Sequence, residues 1–339
     1  MARLWTDLID PATLTGFARR ALQDYETAKG TLARWLPNQQ VDDISVRFVV
    51  GSSGLVDEAR YREFDAEPEF GRTPGGKRVT VDLVALSQQG IISERDQLRL
   101  RKADDDVRRK ILTEATRTAV LGIADRVERQ RASVLVSGQA VIAQDNYADS
   151  VDFGRDPSMN VTAPTLWSDP AADRIGYLST LIDQYVAMNG DEPGAILTSK
   201  RVWRALSGGS QFGVQLVGGG SRPANDSDVR AILAGAGIPD AYMYDRRGKA
   251  GRFVPDDRIM LLPAPVDPNS GTSELGATFW GETLAASEPE YGIEQSEQPG
   301  IVSAAFTNEG IPPVRHTYVD SLNLPVGANM NLSLVAKVL

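Results

Sequence analysis

Apolar residues recur every three or four positions across residues 11–36, at Leu14, Phe17, Ala18, Ala21, Leu22 and Tyr25. That spacing predicts a helix, closed by Pro37-Asn38. A short strand follows over residues 44–50, and Gly51-Ser-Ser-Gly54 turns the chain away. The pattern then becomes a charged arm. Its outgoing limb, residues 59–65, has only Tyr61 and Phe64 as large apolar groups. It turns at Arg72-Thr-Pro-Gly-Gly76 and returns over residues 78–85, with Val79, Val81, Leu83 and Ala85 on one face. A two-stranded ribbon this polar cannot cover its own apolar face, so it is expected to lie on its domain or on a neighbouring subunit. The whole N-terminal stretch, residues 1–50, is thin in apolar residues and predicts an extended arm carrying short elements.

The next element is long. Three aspartates, Asp104 to Asp106, suit a helix N-terminus by capping and by charge, and Gly138 suits its end. Between them Val107, Ile111, Ala115, Thr118, Gly122 and Val127 form a narrow apolar stripe, widened by Leu112, Ala119 and Ile123. A helix over residues 104–137 is on the order of 50 Å long. Arg108, Arg109, Lys110, Glu114, Arg117, Asp125, Arg126, Glu128, Arg129 and Arg131 are read as its outer, solvated faces. Strands are predicted at 134–136, 140–143 and 150–153, a loop over 160–168, and a helix from Asp169-Pro170 to Met188.

From residue 191 to about 287 the chain is rich in glycine and proline. Strands at 195–198, 242–244 and 258–262 alternate with helices at 199–206 and, capped by Ser227, 227–234, around a glycine-rich loop at 208–225. This alternation predicts a small α/β domain inserted into the first. Strand character returns from Tyr291, and the apolar end, residues 331–339, is expected to pair back in the first domain.

Composition narrows the chemistry. The 339 residues allow two domains, and 42% hydrophobic with 24% charged residues suits a packed, folded chain. With no cysteine and a single histidine, His316, thiolate and multi-imidazole metal sites are excluded within one chain. His316 is expected to be structural, and no Gly-x-Ser-x-Gly nucleophile elbow accompanies it. The net charge of −9 repels phosphate and argues against tight nucleic-acid binding. The N-terminus lacks a signal-like apolar run and no stretch approaches the roughly 20 residues of a membrane span, which predicts a protein made and kept in the cytosol, without membrane contact.

Gly71-Arg-Thr-Pro-Gly-Gly76-Lys77-Arg78 nearly spells a phosphate-binding loop, but Arg78 stands where Ser or Thr must hold Mg²⁺. Gly218-Gly-Gly220 and Gly235-Ala-Gly237 lack the dinucleotide spacing, and Asp145, Asp149, Asp152 and Asp156 lack that of a calcium loop. No catalytic, cofactor-binding or metal-ligating residue is predicted, no cofactor, and no enzyme activity.

Several local patterns, colinear over nearly the whole chain, carry a resemblance. They are Leu32-Ala-Arg-Trp-Leu-Pro37 with Tyr61-Arg62 and Phe64-Asp65, then Ala103-Asp104 through Arg108-Arg-Lys-Ile111 to Val134-Leu-Val-Ser-Gly138. Val151-Asp-Phe-Gly-Arg155 with Asn160-Val-Thr162 and Trp167 follows, then Phe253-Val-Pro-Asp256 with Met260-Leu261. In this order they resemble the lambda-like major capsid (head) proteins of tailed phages. The resemblance implies the α+β Hong Kong 97-type capsid fold, divided as N-terminal arm 1–50, extended β-hairpin loop 51–92, peripheral domain 93–190 and 288–339 with a spine helix at about 104–137, and axial domain 191–287. It implies hexamers and pentamers closing into an icosahedral shell around double-stranded DNA, touched weakly and non-specifically. A scaffolding protein, a portal and a decoration protein are the implied partners; assembly is expected in the host cytoplasm, and the virion is the final location. Some members crosslink through an arm lysine, for which Lys77 is the one candidate between Gly51 and Ile92; no partner for it is identified and no crosslink is expected. The alternatives are an encapsulin-type compartment of the same fold, told apart by its protein contents, and a soluble carboxylate-dependent enzyme, told apart by a small solution mass.

Overall fold

The computed structural model describes residues 2–50, 77–100, 103–144, 147–216, 220–308 and 314–339. Two sheets organise them. In the six-stranded sheet the long strand Val314–Gly327 is the centre. One side of it pairs with Val302–Asn308 and then Gly276–Gly281, and the other side with Val84–Ile92. Ala2–Leu4 extends this sheet at Val302–Asn308, and Asn38–Gln40 joins Gly276–Gly281 in parallel. The five-stranded sheet runs Ala241–Met243, Ala195–Thr198, Arg258–Leu262, Leu334–Lys337 and Asn160–Thr162. Its central strands are continuous apolar runs because both faces are covered.

The spine helix spans Asp105–Ser137 and lies along the long strand, over Thr317, Val319 and Ser321, which are fully buried. Its close approach to Val84–Ile92 needs a glycine. A Cβ on Gly90 would stand 2.6 Å from the Ala115 carbonyl oxygen, too close for any side chain. The helix ends at Gly138 in the left-handed region, φ 75°, as expected for a glycine C-cap. Arg155 donates to the carbonyls of Leu135 and Val136, placing a cation at the negative end of the helix dipole. Burial, with repulsion from Arg258, pushes Arg155 down to about 10.

Several expectations need correction. Residues 134–136 are the last turn of the spine helix, not a strand, because Gly138 rather than the β-branched valines sets the stop. Helix 11–36 is two pieces, Pro11–Lys29 and the turn Leu32–Arg34, divided at Gly30 with φ 70°. The helix expected from Asp169 begins at Arg174, where Asp173 caps Gly176 N–H at 2.8 Å. The helix expected to be capped by Ser227 is Asp226–Gly235, capped by Asn225 with Asp228 closing a capping box. Within the glycine-rich loop, Gly213–Leu216 pairs with Gly220–Pro223.

Larger findings concern tertiary placement. The return limb of the arm, Lys77–Asp82, pairs with Ser45–Val50; the expected outgoing limb, residues 59–65, and the turn at 72–76 lie outside the described residues. The chain then changes face at Leu83, which is buried while Ala85 is exposed. The N-terminal stretch is not an extended arm. Pro11–Lys29 packs on the spine helix through Leu14, Ala18 and Leu22, and Leu32, Trp35 and Leu36 are buried in the main core. The final strand, Leu334–Lys337, does pair with a strand of the expected first domain, Asn160–Thr162, but its other edge takes Arg258–Leu262 of the expected inserted domain, so one five-stranded sheet holds strands of both. Conversely Gly276–Gly281, expected in the inserted domain, belongs to the six-stranded sheet.

Candidate assembly surfaces and the buried polar junction

The chemistry of this chain concentrates where the N-terminal helix, the spine helix and the second sheet meet. Arg131, less than two turns from the end of the spine, is fully buried and lies against Glu26 of the first helix at 2.5 Å and Glu128 of its own helix at 3.3 Å. It donates also to Thr278 Oγ1 at 2.9 Å and to Asn38 Oδ1. Asn38 Oδ1 in turn accepts from Trp280 Nε1 at 2.9 Å. Glu128 Oε1 accepts from the Leu32 N–H at 2.9 Å and the Tyr244 hydroxyl at 2.7 Å, and its Oε2 accepts from Thr31 Oγ1 at 3.0 Å. Arg246 completes the junction: it reaches Asp125 at 3.1 Å and Glu128 at 3.6 Å, and stacks over Tyr25 at 4.5 Å.

Burial of a charge is expensive, and here each charge is offset by neighbours of the opposite sign. Burial alone would push Arg131 down; Glu26 and Glu128 outweigh it, and its pKa is raised. Burial pushes the Tyr244 hydroxyl up, and the adjacent Glu128 carboxylate pushes it further. The junction therefore holds fixed charges and a neutral phenol. It ties Glu26, Glu128 and Tyr244, from three separate parts of the sequence, into one rigid contact. Its groups pair with one another, and together they fix how the two sheets and the spine stand to one another.

The expectation that Glu128 and Arg131 lie on a solvated helix face is overturned, since both are fully buried. A signal was present: on a helical wheel Arg131 and Glu128 fall within the arc spanned by Ile123, Val134, Val127, Ala124, Leu135 and Ala132, and so on the buried side. The opposite holds at the start of the spine, where Val107 from the expected stripe is 48% exposed.

The other residues singled out by sequence are placed as follows. His316 is buried in the long strand and stacks on Phe306, with ring centroids 5.8 Å apart; burial lowers its pKa. Asp152 accepts from Gln139 Nε2 and the Gly154 N–H, and Asp156 from the Ser158 N–H, so these carboxylates serve local turns. Asp145, the phosphate-loop-like turn and Gly218 fall outside the described residues, and of Lys77 only the backbone is described. Among the described residues no helix is long and apolar enough to cross a membrane.

Two further features bear on assembly. The ribbon of Ser45–Val50 and Lys77–Asp82 forms a two-stranded sheet of its own, whose apolar face, Val46, Phe48, Val79 and Val81, packs on the main core. Leu284, Ile91, Ile44 and Leu98 are more than half exposed, unusual for large apolar residues in an acidic chain.

Residues 37–279 match the model of the family described as phage major capsid protein E. No curated protein matches the sequence. Among solved structures the chain is similar to a protein assigned as the capsid protein of a prophage of Escherichia coli CFT073, with TM-score 0.61, 14% identity and both chains covered in full. It is also similar to a phage-related protein of Bordetella bronchiseptica RB50, with TM-score 0.60, 11% identity, and 95% of this chain and 96% of that one covered. At these identities the likeness speaks to the fold, an α+β fold of the Hong Kong 97 type.

Proposed function

The chain belongs to the phage major capsid protein E family, and from that premise we propose how its copies build a head: as hexamers and pentamers closing into a shell around double-stranded DNA. The protein is a phage major capsid protein, a structural subunit of the icosahedral shell of the virion and not an enzyme. In the proposed arrangement the spine helix and the six-stranded sheet form the peripheral body, and the five-stranded sheet forms the body directed to the capsomer axes. The ribbon reaches between subunits. A scaffolding protein, a portal and a decoration protein are the proposed partners, and the net charge of −9 keeps contact with the packaged DNA weak and salt-sensitive.

The observation that carries this reading is the match of residues 37–279 to the capsid family. The ribbon agrees with it: its two strands pair with no other strand among the described residues, its apolar face packs on the chain's own core through Val46, Phe48, Val79 and Val81, and Arg47, Arg78, Thr80 and Asp82 are left exposed on the other face. Electron microscopy of the purified protein, alone and with its scaffold, is expected to show rings or closed shells. Only monomers at micromolar concentration under both conditions would overturn the reading, and nanomolar affinity for duplex DNA at physiological salt would overturn the part concerning the contents.

A further inference from the structure

Two complementary surfaces lie at opposite edges of the six-stranded sheet. At the edge formed by Val84–Ile92 is an open groove of about 390 Å³, walled by Leu86, Val127, Ile142 and Leu324. Two polar groups face it without partners. Gln130 is 6% exposed, yet its Oε1 has no hydrogen-bond partner. Arg126 lines the groove and makes no ion pair among the described residues; burial and the neighbouring charge of Arg129 lower its pKa. The groove thus offers apolar walls, an unneutralised cation and an orphan acceptor.

At the far edge, Leu284 stands on the short helix Leu284–Ser287, whose Ala286 packs with Tyr291 on Val302 and Ala304. It is 82% exposed, more than any other large apolar residue described. Glu282 precedes it, and Glu288 and Glu290 follow, with no cationic partner for any of the three among the described residues. An apolar knob in an acidic surround is the chemical inverse of the groove.

We propose that Leu284 of one copy seats in the groove of the next, with Glu288 or Glu290 pairing with Arg126 and an incoming N–H satisfying Gln130 Oε1. The occupant is a second copy of this chain, argued from charge complementarity and from the position of knob and groove at opposite ends of one sheet. Identical copies joined in this way make a head-to-tail contact, which closes into a ring when the rotation per copy permits. Like charges meeting at such a contact would oppose a wrong register. The proposal rests on the capsid reading and deepens it by naming which residues join neighbours.

The chain has no cysteine, so introduced thiols report cleanly. Gln144 lines the groove beside Ile142; a Leu284→Cys, Gln144→Cys double variant, oxidised as assembled particles, is expected to give a reducible ladder of covalent oligomers on denaturing gels, and neither single variant gives one. The bond forms only when the Cα atoms come within roughly 4.4–6.8 Å, so a chance surface encounter does not mimic it. Intact particles without a ladder overturn the knob and groove and leave the capsid reading standing, whereas a parent chain that forms no particles overturns that reading itself. A charge exchange tests the same contact without thiols. Arg126→Glu is expected to lower particle yield about tenfold, with recovery when Glu288→Arg and Glu290→Arg are added. Yields within about twofold of the parent for both Arg126→Glu and Leu284→Asp overturn the proposal even where the double-cysteine variant fails to assemble.

Discussion

The two halves of the spine helix carry similar densities of charge and meet opposite fates. In the first half Glu114 and Arg117 are 61% and 58% exposed and 3.9 Å apart, an ion pair that water screens almost completely. In the second half Glu128 and Arg131, also three residues apart, are 1% and 0% exposed and joined to at least four other elements of the chain. The sequence spacing is the same. What differs is the cover: the first half rests on the sheet and the first helix along one side only, while the second is surrounded by Leu32–Arg34, the second sheet's loops and the long strand. An identical local pattern is therefore decoration in one place and a fastening in the other.

The largest test of this comparison removes one charge from each half. Arg131→Met leaves Glu26 buried without a cation and Glu128 with Arg246 alone, and is expected to destabilise the dissociated subunit by about 3–5 kcal/mol in urea unfolding. Arg117→Ala is expected to stay within about 0.5 kcal/mol of the parent. Equal effects from the two would erase the distinction between the halves.

A smaller effect is expected where the buried half ends. Gly138 has φ 75°, and a Cβ there would stand 2.9 Å from the Arg155 side chain that caps the helix. Gly138→Ala is expected to cost about 1–2 kcal/mol through left-handed strain. Measured by the same unfolding, a neutral result would show that this end relaxes freely and that the second half is less firmly fixed than the buried junction implies.

The smallest test concerns the sheet beneath. His316 is the one histidine, so its ring signal in proton NMR is unambiguous. Burial lowers its pKa from 6.5, so the folded state binds its proton less readily than the unfolded one. The stability it contributes is then complete above pH 6.5 and is lost as pH falls from there through the folded value. The folded signal is expected to titrate with a midpoint below 6.5; a midpoint above it would mean that this face of the sheet is wetter than the packing of Phe306 indicates.

Much of the architecture was legible from local pattern. The spine helix was placed within one residue at both ends, because three aspartates and a glycine punctuate a run of good helix formers. Ala195–Thr198 and Arg258–Leu262 were placed in full, as short apolar runs bounded by turn residues. The misplacements share a cause. Leu334–Lys337 reads as a buried strand wherever it pairs, and nothing local says which sheet will take it. The return limb Lys77–Asp82 reads as a strand with an apolar face, and nothing local announces that Ser45–Val50, more than 25 residues back, pairs with it. The knob at Leu284 and the groove beside Gln130 had no signature, since each is defined by what the fold leaves uncovered.

By itself the sequence determined the elements, their order, the acidic charge and the exclusion of thiolate and multi-histidine chemistry. These follow from residue type and from spacings of two to four positions, where side chains meet through the backbone's own geometry. Only the tertiary structure decided that Arg131 and Glu128 lie inside, that the N-terminal helix clasps the spine, and that the last strand crosses into the second sheet. Burial is set by what arrives from far along the chain, and a charged residue becomes a fastening only when partners such as Glu26 and Tyr244, more than a hundred residues to either side, close over it.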